Sequence, residues 1–159
     1  MTSFEYFCKL SDYLYFGKYP CESVINELEQ LGVNVFVDLT EDNDDLKPYN
    51  IKGDKIVLKI PVIDCYIMDD NELHWLLEYL KNLIVYRNKI LYIHCRGGHG
   101  RSAVVAGILY GYCNDMNSKT VLETLSRVHS ERRIVKDEWR RLGCPQTQSQ
   151  KNQVIRFLK

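Results

Sequence analysis

Segments rich in β-branched and aromatic residues alternate along this chain with segments whose apolar residues recur at helical spacing. The strand-type runs cover 13–17, 33–39, 55–60 and 89–94, and the helical patterns begin near Glu22, Asp69, Arg101, Ser118 and Pro145. Strands that are apolar at consecutive positions are typical of sheets buried on both faces. The alternation therefore predicts an α/β fold of three layers, in which helices flank a central, mostly parallel sheet of four to five strands.

Length and charge limit the classes of protein to which the chain can belong. Its 159 residues are enough for one domain, so residues 1–159 are expected to form a single domain. Lys and Arg number 21, as do Asp and Glu, so the formal net charge is zero. General nucleic-acid binding depends on excess positive charge, so we expect no stable nucleic-acid partner, and any anion must be bound at a local site.

Two features bear on the compartment in which the protein works. The longest nearly apolar stretch, 103–113, is far shorter than the roughly 20 residues that a membrane-spanning helix needs. The N-terminal segment contains Glu5, Lys9 and Asp12, so it lacks the uninterrupted apolar region of a signal peptide. We therefore expect a cytoplasmic protein with no membrane span, and access to the nucleus stays open.

Six cysteines are scattered over the chain without a CxxC pair. This spacing supports no zinc site, and a reducing compartment keeps most cysteines as thiols, so neither a metal nor another cofactor is predicted. Five of the six are expected to be small buried apolar side chains. Cys95 differs, because of the residues that surround it.

Cys95 opens a glycine-bearing loop between a strand and a helix, in the stretch His94-Cys-Arg-Gly-Gly-His-Gly-Arg-Ser102. Such a loop can turn its backbone N–H groups toward a tetrahedral anion at the positive end of the helix dipole. Arg101 can hold two oxygens of that anion through its planar guanidinium. Glycines let the backbone approach the anion closely, and here they are Gly97, Gly98 and Gly100.

The positive electrostatic potential that binds an anion at this loop also stabilises a thiolate, which makes Cys95 a candidate nucleophile at neutral pH. Ser102 can donate a hydrogen bond to the sulfur and help it leave later. A nucleophilic thiolate that faces a bound phosphate implies transfer of the phosphoryl group to cysteine, followed by hydrolysis.

This reaction needs an acid that protonates the leaving oxygen. Asp64 is the favoured candidate, because it follows a strand end in Ile60-Pro-Val-Ile-Asp64 and would lie on a mobile loop. Asp69 and Asp70 are competitors, although their position before a helical pattern suits a helix N-cap and a first turn better.

The sequence resembles a known family at these residues. The run from His94 to Ser102 resembles the phosphate-binding signature of the cysteine-dependent protein tyrosine phosphatases, and specifically of their small dual-specificity branch. The resemblance extends over essentially the whole chain, through Leu14–Gly17, Val37–Thr40, Ile60–Asp64 and Pro145–Gln150.

The resemblance implies a fold like that of the dual-specificity phosphatases and assigns roles to individual residues. Cys95 would be the nucleophile and Arg101 the phosphate clamp. Asp64 would act as general acid and then as general base for the attacking water. His94 would shape the loop and tune the thiolate, and Gln150 would contribute to substrate binding.

Three interpretations of the function stay open, two of which differ in the substrate. The chain lacks the long insertions of the classical tyrosine phosphatases, so the resemblance implies a shallow cleft and a phosphoprotein substrate carrying phosphotyrosine or phosphoserine/threonine. Arg96 and His99 are the other basic side chains of the loop. The favoured interpretation is that Arg96 points to solvent or pairs locally and that His99 packs; the alternative is that both line a pocket for a polyanionic phosphate such as a phosphoinositide or an RNA 5′-triphosphate. The third interpretation is a catalytically inactive phosphate-binding module. In each case Arg96, Gly97, Gly98, His99 and Gly100 are the expected binding residues.

Polar residues outside the loop receive simpler interpretations. Glu131–Arg133 are expected to be solvated helix charges, and His129 a surface or boundary residue. Cys65, next to the proposed acid, is a less favoured candidate for a reversible disulfide with Cys95.

Overall fold

The structure is a computed structural model that describes residues 4–133 and 137–159. Within these ranges the strands are β1 (Phe7–Ser11), β2 (Leu14–Gly17), β3 (Val35–Asp38), β4 (Ile56–Lys59) and β5 (Leu91–His94). They form one five-stranded sheet in the order β1-β2-β5-β3-β4. β1 pairs antiparallel with β2, and the other neighbours are parallel. The predicted α/β fold with a mostly parallel sheet is confirmed.

The helices are α1 (Glu22–Gln30), α2 (Asp70–Arg87), α3 (Arg101–Asn114), α4 (Ser118–Ser130), α5 (Asp137–Leu142) and α6 (Gln148–Leu158). A short 3₁₀ turn, Asp42–Asp44, follows β3. The sequence pattern did not predict β1 or α5. It also placed the start of the last helix near Pro145, whereas Thr147 caps α6 by accepting a hydrogen bond from the Gln150 amide.

Adjacent residues of the central strands face opposite layers of the molecule. In β5, Leu91 and Ile93 lie in the large core that α2, α3, α4 and α6 cover. Tyr92 lies in the smaller core beneath α1, together with Phe36 of β3. Because both faces of the sheet are buried, the central strands read as nearly continuous apolar runs instead of alternating with polar residues.

α3 is the central helix of the larger core and is buried along most of its length. It packs closely against its neighbours through two glycines. A Cβ at Gly107 would lie 2.6 Å from Leu125 of α4, and one at Gly111 would lie 2.7 Å from Leu158 of α6. This packing on several sides explains why the helix is made of small and apolar residues and has no polar face.

The four parallel strands end at the same edge of the sheet. Gly17 at the end of β2 is in register with His94 at the end of β5. Asp38 at the end of β3 is in register with both His94 and Lys59. The loops that follow these strands therefore lie together, at the edge where open α/β sheets bind their ligands.

Among residues 4–133 and 137–159, no helix combines the length and the apolar character that crossing a membrane requires.

Candidate active site

The loop of residues 95–100 leaves β5 at this edge and runs into the N-terminus of α3. The Cys95 amide donates to the Gly17 carbonyl oxygen over 3.3 Å, which ties the loop to the end of β2. Gly98 has a φ of +77°, and a Cβ there would lie 2.3 Å from the carbonyl carbon of Gly17. Residue 98 must be glycine, because both the backbone conformation and the close approach of β2 exclude a side chain.

The Cys95 side chain lies almost fully buried within this loop, at 3% exposure. Its Sγ donates a hydrogen bond to Ser102 Oγ over 3.3 Å. Ser102 belongs to the first turn of α3, whose dipole places partial positive charge near the sulfur. The structure therefore brings together the thiol and the hydroxyl that the sequence paired.

The guanidinium of Arg101 is fixed by two neighbouring loops. Its Nη1 donates to Asp44 Oδ2 over 2.9 Å, and its Nη2 donates to Asp44 Oδ1 over 3.0 Å. Nη1 also donates to the carbonyl oxygen of Val62 over 2.9 Å. A planar guanidinium held at these points has one orientation, which is the condition for gripping an anion in a defined geometry.

Asp44 is a residue that the sequence analysis did not single out. It ends the 3₁₀ turn after β3, where the Glu41 amide donates to its Oδ2 over 2.8 Å. Burial alone would raise the pKa of Asp44, but the hydrogen bonds from Arg101 and from the Glu41 amide outweigh burial, so the pKa lies below its ordinary value. Four of the five residues 41–45 are acidic, and no local pattern distinguishes the buried one from its neighbours.

Asp64 lies beside the same guanidinium. Its Oδ1 is 3.4 Å from Arg101 Nη2, while the side chain stays 59% exposed. The two competing carboxylates have other roles. Asp69 caps α2 by accepting from two backbone amides of its first turn, at 3.0 and 3.3 Å, and Asp70 pairs with Arg156 at 2.9 Å. Of the three candidate acids, Asp64 is the one in contact with Arg101.

His94 is enclosed by aromatic side chains directly before the loop. The Tyr49 hydroxyl and His94 Nε2 share a hydrogen bond of 2.6 Å, and the rings of Tyr19 and Tyr92 lie 5.3 and 5.5 Å away between centroids. Burial lowers the pKa of His94 to about 4, against the opposing charge of Asp38. The imidazole is therefore neutral at physiological pH. Like Asp44, Tyr49 is a residue of the site that the sequence did not indicate.

His99 is hydrogen-bonded to His129 near the end of α4, with 2.8 Å between Nδ1 and Nε2. Burial and the charge of Arg132 lower the pKa of His99 to about 3 and that of His129 to about 4. His99 therefore packs as a neutral side chain, which is the favoured of the two interpretations, and the alternative in which it adds a cation to the loop is wrong. The expectation that His129 is a surface or boundary residue is wrong too, because α4 ends against the loop and buries His129 to 1% exposure.

Arg132, just beyond α4, also differs from its expected place among solvated helix charges. It is 3% exposed. Its Nη1 donates to the Gly98 carbonyl oxygen over 3.1 Å and its Nη2 to the Gly97 carbonyl oxygen over 3.2 Å. The neighbouring Arg133 and Glu131 are exposed, as expected.

Gln150 of α6 lies against the far end of the loop. A Cβ at Gly100 would lie 2.7 Å from its Nε2. Its Oε1 accepts from the Thr147 amide over 2.9 Å, and its Nε2 donates to the Tyr66 carbonyl oxygen over 3.4 Å. The side chain therefore joins α6 and the segment after Asp64 to the loop.

Arg96 is exposed, and its carbonyl oxygen accepts from the Tyr19 amide over 3.1 Å. Its side chain borders a groove of about 760 Å³ between α1 and the loop that follows the 3₁₀ turn. The charged residues that line this groove are Arg96, Lys18, Lys47, Lys52, Glu22 and Glu29. Positive charge therefore predominates beside the loop, although the whole chain is neutral.

A strand, a cysteine loop that ends in a buried arginine, and a helix together define the class of protein. This arrangement, on a three-layer α/β sheet, is the one that the resemblance in the sequence implied. Residues 14–154 match the family model described as "PTP-SAK: Swiss Army Knife protein, DSP-PTPase phosphatase domain", and the chain belongs to that family. The resemblance seen in the sequence is confirmed.

Individual relatives agree with this assignment. The chain is 30% identical over 125 residues to protein 197R of Invertebrate iridescent virus 6, named as a tyrosine phosphatase, covering 73% of this chain and 45% of the relative. It thus spans less than half the length of that relative. It is 26% identical over 162 residues to the phosphatidylglycerophosphate phosphatase PTPMT2 of Arabidopsis thaliana, covering 93% and 68%. The crystal structure of Tk-PTP in the active form superposes with a TM-score of 0.71 at 23% identity, covering 95% of both chains.

Proposed function

We propose that this chain is a dual-specificity protein phosphatase that hydrolyses phosphotyrosine, phosphoserine and phosphothreonine through a phosphocysteine intermediate. The observation that carries the proposal is the placement of Cys95 Sγ, 3.3 Å from Ser102 Oγ, in a loop whose Arg101 is held by Asp44 on two hydrogen bonds. The proposed nucleophile, Cys95, therefore lies near both the proposed anion clamp, Arg101, and the hydroxyl proposed to stabilise the sulfur when it leaves, Ser102.

The first step forms a bond between sulfur and phosphorus. The loop amides and Arg101 hold the phosphate oxygens and stabilise the charge that spreads over them in the transition state. The Cys95 thiolate attacks phosphorus, and the bond from phosphorus to the substrate oxygen breaks. Asp64, which lies beside Arg101, gives its proton to the departing oxygen.

The second step releases inorganic phosphate. Asp64, now a carboxylate, takes a proton from a water molecule whose oxygen attacks phosphorus. The bond between phosphorus and sulfur breaks and returns its electron pair to Cys95. The Ser102 hydroxyl, within hydrogen-bond distance of Sγ, stabilises the thiolate as it leaves.

A low rim around the loop supports dual specificity. Asp64 is 59% exposed, and Ile63 and Tyr66 beside it are 56% and 63% exposed. A general acid this close to the surface can reach the short side chains of phosphoserine and phosphothreonine as well as the longer phosphotyrosine.

The proposal is tested by comparing the wild-type protein with Cys95→Ser, using Cys21→Ser at an exposed cysteine as the matched control. Wild type and Cys21→Ser should release phosphate from peptides carrying each of the three phosphorylated residues. Cys95→Ser should release none while still binding inorganic phosphate. Rapid turnover by Cys95→Ser would refute the phosphocysteine mechanism, and activity on phosphotyrosine alone would refute dual specificity.

The groove beside Arg96 favours a second candidate, a phosphatase for phosphorylated lipid headgroups that carry an additional negative charge. Its four basic residues could hold such a group, and one relative is named as a phosphatidylglycerophosphate phosphatase. Comparing kcat/KM for phosphopeptides and short-chain phosphatidylglycerophosphate separates the two functions. Under this candidate, Arg96→Ala should lower kcat/KM for the lipid alone.

A further inference from the structure

We propose that Arg132 is a positioning residue that orients two peptide groups of the 95–100 loop so that their N–H groups face the substrate phosphate. The inference rests on the proposed function of this loop as a phosphate site. Its basis is the pair of hydrogen bonds from Arg132 to the carbonyl oxygens of Gly98 and Gly97, at 3.1 and 3.2 Å.

The direction of the N–H groups follows from the geometry of the peptide bond. A trans peptide group is planar, and its C=O and N–H bonds point to opposite sides. The Gly97 carbonyl shares a peptide group with the Gly98 N–H, and the Gly98 carbonyl shares one with the His99 N–H. When Arg132 holds both carbonyls on its own side of the loop, these two N–H groups are turned to the other side.

The two peptide groups need such a restraint because glycine restricts their conformation very little. Glycine adopts positive and negative φ with similar ease, so a peptide group next to a glycine can rotate at low cost. A rotated group would present its carbonyl oxygen to the phosphate, and the two would repel. The backbone of Gly17 holds residue 98 by close contact, and Arg132 supplies the polar restraint from the direction of α4.

The burial of Arg132 indicates a role beyond packing. Its hydrogen bonds go to neutral carbonyl oxygens, and its Nε has no hydrogen-bond partner among residues 4–133 and 137–159. Burying a cation with such partial compensation costs free energy. Burial lowers the pKa of His99 and His129, and the charge of Arg132 lowers both further, so the adjacent histidine pair is neutral.

The test compares Arg132→Met and Arg132→Lys with Arg133→Met, at the exposed neighbour. Tungstate, a tetrahedral oxyanion, is the probe for the loop, and its Kd is measured by calorimetry beside kcat and KM for an aryl phosphate. Arg132→Met should weaken tungstate binding and lower kcat about 10²- to 10³-fold, as expected when oxyanion donors are lost. Arg132→Lys keeps the charge but not the two-point contact, so it should recover only part of this loss. Arg133→Met should match the wild type.

The wild-type protein offers a second measurement that does not depend on how the variants fold. In amide NMR spectra, tungstate should shift the Gly98 and His99 N–H resonances downfield, as hydrogen bonds to the anion form. Wild-type tungstate affinity in folded Arg132→Met, or unmoved Gly98 and His99 resonances in the wild type, would overturn the proposal. Wild-type protein that binds tungstate in this way without hydrolysing any phosphate ester would support the positioning role and refute the enzymatic one.

Discussion

Arg101 and Asp44 form a bidentate pair, with hydrogen bonds of 2.9 and 3.0 Å between two side chains that are 3% and 4% exposed. The pair joins the loop after β5 to the 3₁₀ turn after β3. Since the guanidinium has to be in place before phosphate arrives, Asp44 reduces the cost of organising the site when substrate binds.

Asp44→Asn should therefore damage both activity and stability. The amide retains the shape of the carboxylate but removes its charge, which leaves the buried Arg101 with the more exposed Asp64 as its neighbouring carboxylate. We expect a loss of stability of about 3 kcal/mol. We expect kcat/KM for an aryl phosphate to fall about 100-fold, since a displaced guanidinium misplaces the phosphate. Denaturant unfolding and steady-state kinetics measure the two effects. Asp42→Asn, in the exposed part of the same turn, should leave both unchanged.

Asp64→Asn should lower kcat by about 10²- to 10⁴-fold at neutral pH, the usual range for a lost general acid. The loss should be larger for alkyl phosphates than for p-nitrophenyl phosphate, because a good leaving group needs less protonation. Asp69→Asn is the matched control. Asn is about as good an N-cap as Asp, so this variant should keep both the stability and the kcat of the wild type. Equal losses of kcat for alkyl and aryl substrates would contradict the role of Asp64 as acid.

Acidification should destabilise the fold through the buried histidines. Burial lowers the folded-state pKa of His94 and His129 to about 4 and that of His99 to about 3, from an ordinary value of 6.5. Between pH 6.5 and about 4 the unfolded chain therefore binds protons that the folded chain does not. The free energy of unfolding should fall as pH is lowered through this window, with a slope of up to about 1.4 kcal/mol per pH unit for each histidine.

Denaturant unfolding at a series of pH values measures this slope. A change in packing shifts the free energy of unfolding at every pH, whereas a change in titration alters the slope. His129→Gln should make the slope shallower. His74→Gln, at an exposed position of α2, should leave the slope as it is in the wild type. An unchanged slope in His129→Gln would show that His129 titrates normally in the folded protein.

The parts that could be predicted from the sequence are those whose signal is local. The strand and helix patterns gave the layers of the fold, and Cys95 and Arg101 are six residues apart in one loop, so their chemistry could be recognised together. β1 was not identified because its five residues mix polar and apolar types without a clear period.

The contacts that complete the site come from distant parts of the chain. Asp44 precedes Arg101 by 57 residues, and Arg132 follows Gly98 by 34. Neither belongs to a motif, and each stands among residues of the same charge that are exposed. Which member of an acidic or basic run turns inward depends on the tertiary fold, and a single sequence carries no signal for that choice.

Tyr49→Phe tests the environment of His94, the residue that precedes the nucleophile. The substitution keeps the ring that packs 5.4 Å from the imidazole but removes the hydroxyl bonded to Nε2 at 2.6 Å. A buried imidazole nitrogen then loses its partner, which should cost about 1–3 kcal/mol of stability. We also expect kcat to fall several-fold, because the His94 ring loses the hydrogen bond that fixes its orientation and its backbone leads directly into Cys95. Thermal unfolding and aryl phosphate kinetics measure these effects, with Tyr86→Phe, at a side chain 77% exposed, as the control. If Tyr49→Phe matched this control in both measurements, the hydrogen bond would have no part in holding the loop.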